Sequence, residues 1–166
     1  MGAGIGRVKA VRLSELEWEP FGWIPLQDSD PRDGDNRLAF DWGDAHVNVI
    51  SHTLDEVVPV DGGLRCDVLF RHDTHTQVLM TLDSEAVVAV APARIDFSDP
   101  ADASQVKAFL LRPQETIVLH RGTWHWGPFP LGSDRVNLFN VQGLRYAEDN
   151  SSVDLAAKGL SIDVLV

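Results

Sequence analysis

The sequence predicts an all-β fold, either a β-sandwich or a β-barrel, with at least eight short strands. From Leu38 onward, short apolar or alternating segments follow one another and are separated by turns rich in Asp, Gly and Pro. Only two short segments have a helical pattern. With 166 residues and a hydrophobic fraction of 44%, the chain has the size and composition expected of one globular domain covering residues 1–166.

The N-terminal part contains one predicted helical turn and one predicted strand. The turn covers residues 13–20, where Ser14 is a candidate N-cap and Pro20 prevents extension of the helix. Residues 21–26 are predicted to form a short edge strand. Residues 28–36 are rich in turn formers and carboxylates, but their spacing differs from that of a calcium-binding loop, so a solvated loop is the preferred interpretation.

The elements that follow are predicted to be mostly strands. Residues 64–72 alternate along their whole length, so Leu64 and His72 are expected on one face together with the three apolar side chains at alternate positions between them. Residues 153–158 are the second segment with a helical pattern. The other predicted strands cover residues 46–54, 77–82, 85–91, 105–111, 116–120, 135–141 and 161–166.

The segment 116–131 is the most unusual stretch of the chain. An apolar strand leads to His120, a tight turn follows at Gly122, and His125 comes shortly after the turn. The sequence Gly-Pro-Phe-Pro at 127–130 is expected to end the segment, because a proline cannot donate a hydrogen bond to a continuing sheet. The segment therefore brings two histidines to one bend, where we expect chemistry.

Four of the six histidines lie in this segment and in residues 69–77. Neutral imidazoles suit both proton transfer near pH 7 and metal coordination. His72 ends an apolar strand face, where a lone histidine is more often a structural residue than a functional one. The second histidine segment, which contains His125, favours the functional interpretation. His46 and His52 are interpreted as structural or surface residues.

Several other side chains are candidates for the same site. Gln77 follows His72 by five residues. Trp124 and its neighbour two residues on are equally consistent with walls of a site and with core residues. Arg71 and Arg121 each adjoin a histidine and could bind a carboxylate through paired hydrogen bonds, although strict alternation directs both away from the interior.

Composition limits the partners and the compartment. The net charge of −11, from 25 acidic and 14 basic residues, argues against a nucleic acid or an anionic membrane as partner. A small anionic substrate would need a local positive site. Cys66 is the only cysteine, so it is interpreted as a small core residue and a reducing compartment is expected. No apolar run approaches the length of a membrane span, and we therefore expect a soluble, cytoplasmic protein.

Two stretches resemble the two motifs of the cupin superfamily. Residues 77–90 are similar to the middle of the first motif, and His125, preceded by Gly122, is similar to the histidine of the second. More closely, the pattern resembles that of the ureidoglycolate lyases over roughly residues 10–145. The matching residues are Phe21-Gly22, Arg71-His72, Thr76-Gln77, Lys107–Phe109, His120-Arg121 and Trp124-His125.

The resemblance implies a fold, a reaction and an assembly. It implies a cupin-like antiparallel β-barrel or jelly roll that cleaves ureidoglycolate to glyoxylate and urea, a step of allantoin degradation in purine catabolism. It also implies a homodimer and, in some members, nickel. The segment Asp73-Thr74-His75 departs from typical members of the family.

The chain also departs from a typical metal-binding cupin. Phe70 replaces the first histidine of the first motif, and Gln77 replaces its glutamate. The remaining set of His72, Gln77 and His125 would bind a metal only weakly, because a carboxamide is a poor neutral ligand. We therefore expect no cofactor or a weakly bound divalent metal, with His75 or His120 as substitute ligands.

The implied reaction is an elimination from a carbinolamine, which needs a base, an acid and a group that holds the carboxylate. Gln77 would bind the ureido amide through its donor and acceptor atoms. The candidate catalytic residues are His72, His125 and, in reserve, His120, and the candidate substrate-binding residues are Arg71, Gln77, Arg121 and Trp124. Two alternatives are a non-catalytic cupin that binds a small molecule, such as a sensor module, and a metal-dependent cupin isomerase or oxygenase.

Overall fold

The computed structural model describes residues 4–25 and 44–166, which are mostly β-strand. The strands are β1 (Gly4–Lys9), β2 (Val11–Arg12), β3 (Gly22–Trp23), β4 (Ala45–Thr53), β5 (Val58–Val60), β6 (Gly63–Cys66), β7 (Val68–His72), β8 (Gln77–Thr81), β9 (Ala86–Ala91), β10 (Lys107–Leu111), β11 (Thr116–Leu119), β12 (Trp124–Pro130), β13 (Arg135–Gly143), β14 (Asn150–Asp154) and β15 (Leu160–Leu165). The helical segments in the same part of the chain are α1 (Glu15–Trp18) and the 3₁₀ segments Leu54–Glu56, Pro100–Gln105 and Ala156–Lys158.

Within the described ranges the strands form three sheets. The four-stranded sheet has the order β1-β15-β6-β5, the six-stranded sheet β14-β7-β12-β9-β10-β2, and the five-stranded sheet β3-β11-β8-β13-β4. Most neighbours are antiparallel, but β1 pairs in parallel with β15, and β2 pairs in parallel with β10. The prediction of an all-β, cupin-like fold is confirmed. None of these three sheets closes on itself, so a closed barrel is not observed.

The six-stranded sheet lies between two apolar layers. One layer joins it to the four-stranded sheet and contains Leu69 of β7, Trp124 and Trp126 of β12, and Ile162 of β15. The other layer joins it to the five-stranded sheet. All six residues of β9 are buried, which explains why its sequence is continuously apolar rather than alternating. We call the space between the six-stranded and five-stranded sheets the inner space.

The prediction for residues 64–72 is wrong in one respect, because two strands replace the single one. The chain leaves β6 in the four-stranded sheet at Cys66 and enters β7 in the six-stranded sheet at Val68. Cys66 and Leu69 belong to the same apolar layer, so the alternation slips by one residue between them. His72 consequently faces away from the layer that contains Cys66.

The proline-rich sequence does not end its strand, contrary to the expectation from residues 127–130. β12 continues to Pro130, and Phe129 and Pro130 pair with Val87 and Ala86 of β9. The register shifts between Trp126 and Phe129, and such an irregularity is where a sheet tolerates proline.

The ends of the chain show one confirmed and one partly wrong expectation. Ser14 caps α1 by accepting a hydrogen bond from the backbone of Glu17 at 3.4 Å, as predicted. The late helical pattern at 153–158 divides between strand β14 and the 3₁₀ segment that follows it. The predicted loop at 28–36 and the end of the predicted strand at 21–26 lie outside the described residues.

Candidate active site

One end of the inner space is polar and the other is apolar. On β13, Val136 and Leu138 are buried in the apolar layer, whereas Asn140 and Gln142 continue the same inner face with carboxamides that are equally buried. Buried polar groups need hydrogen-bond partners, so an end of the core that contains several of them requires a specific arrangement. The histidines occupy this polar end.

Three buried histidines form what we call the histidine cluster: His72, His75 and His125. Their exposed fractions are 8%, 4% and 8%. The ring centroids of His72 and His75 are 4.5 Å apart, and those of His72 and His125 are 5.6 Å apart. The cluster therefore unites the two segments in which the sequence placed four histidines.

Sheet register explains how the two segments meet. His125 lies opposite Val90 of β9. Val90 belongs to the apolar layer between the six-stranded and five-stranded sheets, so both side chains face the inner space. His125 also lies opposite Phe70 of β7, and His72 follows Phe70 by two residues on the same face. The turn after β11 is tied to this strand, because the Gly122 amide donates to the His72 carbonyl at 2.7 Å.

The imidazole of His125 has a defined tautomer. Its Nδ1 lies 3.2 Å from the carbonyl oxygen of Thr123, which can only accept, so Nδ1 carries the proton and Nε2 retains its lone pair. Burial lowers the pKa of His125 to about 4, and the charges of His52 and His75 act in the same direction. His125 is therefore neutral at pH 7 and has one nitrogen available to accept a proton.

His72 is also neutral at pH 7. Burial, followed by the charges of His125 and His75, lowers its pKa to about 3. Its Nδ1 is buried and has no hydrogen-bond partner among the described residues. A buried nitrogen without a partner is costly in a folded protein, which indicates that a bound molecule completes its hydrogen bonding.

His75 is held by a carboxylate. Its Nδ1 lies 3.1 Å from Oδ2 of Asp149, while its Nε2 is buried without a hydrogen-bond partner in the described part of the chain. Asp149 is itself fixed by Thr74, whose backbone amide and hydroxyl donate to the same oxygen at 2.9 and 2.7 Å. Gly143 lies against the ring, since a Cβ there would come within 2.8 Å of His75 Nδ1.

A network of carboxamides orients Gln77. Its Nε2 donates to Asn140 Oδ1 at 2.9 Å and to Gln142 Oε1 at 3.2 Å, and Asn140 in turn donates to Asn48 at 2.8 Å. Both hydrogens of the Gln77 amide are therefore used, whereas its Oε1 is buried and accepts no bond from the residues described. Gln77 thus presents an acceptor, and the network prevents the amide from flipping.

Two of the sequence-predicted residues face the opposite side of the six-stranded sheet. The guanidinium of Arg71 lies 4.4 Å from the ring centroid of Trp124, and Trp124 donates to the Ile95 carbonyl at 2.8 Å. Each residue directly adjoins a cluster histidine in sequence, so strand alternation turns it the other way. The structure therefore does not bring Arg71 or Trp124 to the cluster.

The remaining candidates lie around the site rather than in it. His120 and Arg121 are exposed in the turn after β11, and the His120 ring is 5.3 Å from that of Trp23. His52 is half-buried, with its Nδ1 2.9 Å from Glu56 Oε2, and its charge reaches His125. His46 stacks on Tyr146 at 5.7 Å.

The histidine cluster and its neighbours offer donors for a metal ion. His72, His75 and Asp149 form a group that could hold an ion, with their ligand atoms within 4.8 Å of one another. One pair, His75 Nδ1 and Asp149 Oδ2, is 3.1 Å apart, which is close to the roughly 3 to 3.5 Å between ligands of one ion with bonds of about 2.0–2.2 Å, but the group offers only three donors. Asp149 Oδ2 already accepts from Thr74 and His75. The present arrangement therefore fits a hydrogen-bonded cluster better than a closed metal site.

Sequence reasoning missed the groups that support the histidines. Asp149 lies in a loop outside both histidine segments. Asn140 lies on the strand predicted over residues 135–141, and Gln142 lies one residue beyond that prediction, in the longer observed strand. The alternation of Val136, Leu138, Asn140 and Gln142 on one face was the available signal for the last two.

Together the fold and the site define a cupin-like all-β protein with a buried imidazole and carboxamide site. The sequence model of the ureidoglycolate lyase family matches residues 35–162. The chain therefore belongs to the ureidoglycolate lyase family and is a lyase. No curated protein matches it in sequence. Among solved structures, a dTDP sugar isomerase from Desulfovibrio desulfuricans G20 is similar, with 13% identity and a TM-score of 0.47 over 82% of this chain and 75% of that chain.

In the described ranges, the helices are too short and too polar to span a bilayer.

Proposed function

We propose that this protein cleaves ureidoglycolate to glyoxylate and urea at the histidine cluster. The observation that carries the proposal is the convergence of His72 and His125, with ring centroids 5.6 Å apart, inside the inner space of a chain that belongs to this lyase family. The substrate is a small anion with one hydroxyl and one ureido group, so it needs an acceptor for a proton, a donor of a proton and partners for an amide.

His125 is the proposed base. Its Nδ1–H is engaged by the Thr123 carbonyl, so Nε2 is the atom that takes the proton from the substrate hydroxyl. The electrons of the O–H bond form the C=O bond of glyoxylate, and the C–N bond breaks with its electrons on nitrogen. The departing urea nitrogen then takes up a proton, and His72, which is neutral at pH 7, would pass it on from the protonated His125 by accepting on one ring nitrogen and releasing from the other. A pKa of about 4 keeps His125 neutral at pH 7, so its Nε2 is available to accept a proton.

Gln77 is the proposed partner of the ureido group. Its Oε1 is a buried acceptor whose orientation is set by Asn140 and Gln142, and a urea NH₂ group is a donor of matching chemistry. A site built to hydrogen-bond this NH₂ group would discriminate strongly against analogues that lack it.

Arg121 is the proposed partner of the substrate carboxylate. It is exposed in the turn that the Gly122 amide ties to the His72 carbonyl, which keeps this turn beside the cluster. Arg71 is a weaker candidate because its guanidinium packs on Trp124 on the other face. We propose that acid and base chemistry proceeds without a tightly bound metal, in line with the hydrogen bonds that already occupy Asp149.

The test is release of glyoxylate from each enantiomer of ureidoglycolate by purified protein, with chelator and with added divalent metal. We expect turnover that survives chelation. Binding of ureidoglycolate without glyoxylate release would favour a sensor module. Activity found only with metal, on a different substrate, would favour a metal-dependent cupin.

We also propose that the chain acts as a single domain in a cytoplasmic homodimer. Val47 and Val49 of β4 are 57% and 59% exposed, and apolar side chains on one strand face favour contact with a second copy. Sedimentation that finds a monomer over a wide range of concentrations would contradict the dimer. Burial raises the pKa of the Cys66 thiol, so this cysteine is inert in the folded chain.

A further inference from the structure

We propose that His75 determines substrate specificity: its Nε2, together with Oε1 of Gln77, accepts hydrogen bonds from the terminal NH₂ of the ureido group. We call this pair of acceptors the NH₂ subsite. The inference rests on the lyase reaction proposed above and adds the orientation of the substrate, with its NH₂ group innermost and its carboxylate toward the turn that contains Arg121.

The first argument is that His75 Nε2 is a buried acceptor. Burial acts to raise the pKa of Asp149, but hydrogen bonds from Thr74 lower it overall, so Asp149 is a charged carboxylate that can only accept. Burial lowers the pKa of His75, so the imidazole is neutral at pH 7. Its proton lies on Nδ1, 3.1 Å from Asp149 Oδ2, and Nε2 keeps a lone pair that has no partner in the described part of the chain. Such an atom, on a side chain only 4% exposed, indicates a ligand that donates to it.

The second argument is that Gln77 supplies another acceptor at the same end of β13. Its two amide hydrogens go to Asn140 and Gln142, which leaves Oε1 buried and without a donor among the described residues. The His75 ring lies beside the next residue of this strand, since a Cβ on Gly143 would come within 2.8 Å of Nδ1 and 3.0 Å of Cγ. Nε2 is therefore at the edge of the ring that faces away from Gly143. An NH₂ group has two hydrogens, which matches two acceptors.

The third argument is that most hydrogen-bond donors at this end are already engaged. Nδ1–H of His75 and both hydrogens of the Gln77 amide have acceptors within the protein. Nδ1–H of His125 is engaged by the Thr123 carbonyl. His72, a neutral imidazole, has at most one N–H to offer. A carboxylate placed here would meet three lone pairs and one donor, so the polar end selects against it and in favour of N–H groups.

The fourth argument is the order of the three imidazoles. His72 contacts both of the others, with ring centroids 4.5 Å from His75 and 5.6 Å from His125. In ureidoglycolate, the nitrogen that departs likewise lies between the carbon that bears the hydroxyl and the terminal NH₂. With the hydroxyl at His125 and the NH₂ at His75, the departing nitrogen lies beside His72, the residue proposed to pass the proton to it. The carboxylate is then at the end of the substrate remote from the NH₂ subsite.

The binding test uses two ligands that differ in one group. N-carbamoylglycine is ureidoglycolate without the hydroxyl, so it keeps the NH₂ group but cannot undergo the proposed elimination. N-acetylglycine replaces this NH₂ by a methyl group of similar size. Calorimetry on the unmodified protein should give a dissociation constant about 10- to 100-fold lower for N-carbamoylglycine, because the methyl group leaves two buried acceptors without a donor. Equal affinity, tighter binding of N-acetylglycine, or no binding of either ligand at millimolar concentration would overturn the proposal.

Three variants test the two acceptors. His75→Phe keeps a ring without a lone pair, His75→Leu is a smaller alternative, and Gln77→Leu removes the other acceptor. Each should reduce the preference for N-carbamoylglycine to about 2- to 10-fold, mainly by weakening its binding, while N-acetylglycine binds nearly as before. A full preference in both His75 variants would refute the role of His75, even if Gln77→Leu loses it.

Asn137→Leu is the matched control. Asn137 is also a carboxamide on β13, but its backbone amide and its side chain donate to Asp83. It should keep the full preference, and a loss equal to that of Gln77→Leu would refute the assignment to the NH₂ subsite. Thermal unfolding of every variant checks that the protein is folded, and the comparison of ligands on the unmodified protein depends on no variant.

The outcome is separable from that of the lyase proposal. If glyoxylate is released from ureidoglycolate but the two ligands bind equally, the NH₂ subsite is wrong and the reaction stands. If the preference is found and the variants lose it, but ureidoglycolate is not cleaved, the reaction is wrong and the NH₂ subsite stands as a binding site for ureido compounds.

Lone pairs bind metal ions as well as N–H groups, so metal analysis of the same samples provides the last outcome. A stoichiometric transition metal in purified protein that His75→Leu removes would make His75 Nε2 a metal ligand, and the NH₂ subsite would be wrong.

Discussion

The two ends of the inner space have the same strands but different chemistry. On β13, the apolar end presents Val136 and Leu138, and the polar end presents Asn140 and Gln142 on the same face. On β8, Leu79 belongs to the apolar end, and Gln77 belongs to the polar end. The strands are continuous across this change, so one scaffold supplies both a packed core and a site whose side chains are held by their neighbours.

Side chains at the apolar end and at the polar end of the inner space are held in place by different interactions. Apolar side chains at one end are held by packing, which is tolerant of small changes in shape. Gln77 at the other end is oriented by hydrogen bonds with Asn140 and Gln142, and His75 is oriented by Asp149. Changes at the apolar end should therefore act mainly on stability, and changes at the polar end should act mainly on activity.

The largest expected effect is at His125. His125→Ala should lower kcat about 10² to 10⁴-fold, the usual contribution of a positioned base, while most of the folded stability remains. His125→Gln retains hydrogen bonding but cannot take up a proton near neutral pH, so it should be nearly as slow. Steady-state release of glyoxylate measures both. Full kcat in His125→Gln would make this histidine a packing residue.

The apolar end should respond in the opposite way. Leu138 is fully buried, so Leu138→Ala should reduce the free energy of unfolding by about 2–5 kcal/mol through lost burial and the cavity that remains. Its kcat and KM, measured at a temperature where the variant is folded, should stay within about twofold of the unmodified protein. Chemical denaturation gives the first quantity, and the glyoxylate assay gives the second. A large loss of kcat would contradict the division between the two ends.

Sequence reasoning predicted the fold better than the orientation of the site. The all-β class follows from short apolar or alternating segments, which are recognisable as strands whatever the order of strands in the sheets. The predicted convergence of His72 and His125 is also observed, since their ring centroids are 5.6 Å apart. Alternation through Cys66 and His72 failed, because the chain changes sheets at Asp67 and the slip leaves no mark in composition.

The supporting residues were harder to predict for a different reason. Asp149 reaches His75 across more than seventy positions of sequence, and long-range contacts of this kind depend on how the sheets stack. Trp124 illustrates the converse error, since it adjoins His125 in sequence but packs in the other apolar layer. Neighbours along a strand point in opposite directions, so adjacency in sequence was a poor guide to membership of the site.

The polar end should also make stability depend on pH. The folded pKa values of His125 and His72, about 4 and about 3, lie below the ordinary value of 6.5. Between about 6.5 and 4 the unfolded chain binds more protons than the folded chain, so the free energy of unfolding should fall as pH falls, by on the order of a few kcal/mol in total. His52, His75 and Asp149 are the titratable groups whose charges, when present, act on this pair.

Chemical denaturation at pH 7 and pH 4.5 measures this dependence. His125→Gln removes one of the titrating groups, so its stability should change less between the two values of pH. Leu138→Ala should be less stable at both values but should show the same dependence as the unmodified protein. An equal dependence in His125→Gln would show that His125 is not held neutral by burial.

A smaller effect on substrate binding is expected at Arg121. If its guanidinium holds the substrate carboxylate equally in the ground and transition states, Arg121→Ala should raise KM about 10- to 100-fold and leave kcat nearly unchanged. Arg121→Lys should recover only part of the affinity, because an ammonium cannot make the paired hydrogen bonds of a guanidinium. A variant with normal KM would require another residue to bind the carboxylate.

The smallest expected effect is at Arg71, and it distinguishes the two faces of the six-stranded sheet. Its guanidinium packs on Trp124, and its Nε lies 3.1 Å from Asp73 Oδ1, on the face opposite the cluster. Arg71→Ala should therefore cost about 1–2 kcal/mol of stability, the value of a partly buried cation–π contact, and should leave KM within about twofold. The matching change Arg121→Ala controls for the loss of one positive charge in an acidic chain. If Arg71→Ala instead raises KM as much as Arg121→Ala does, the substrate reaches both faces of β7, and the site is larger than the inner space.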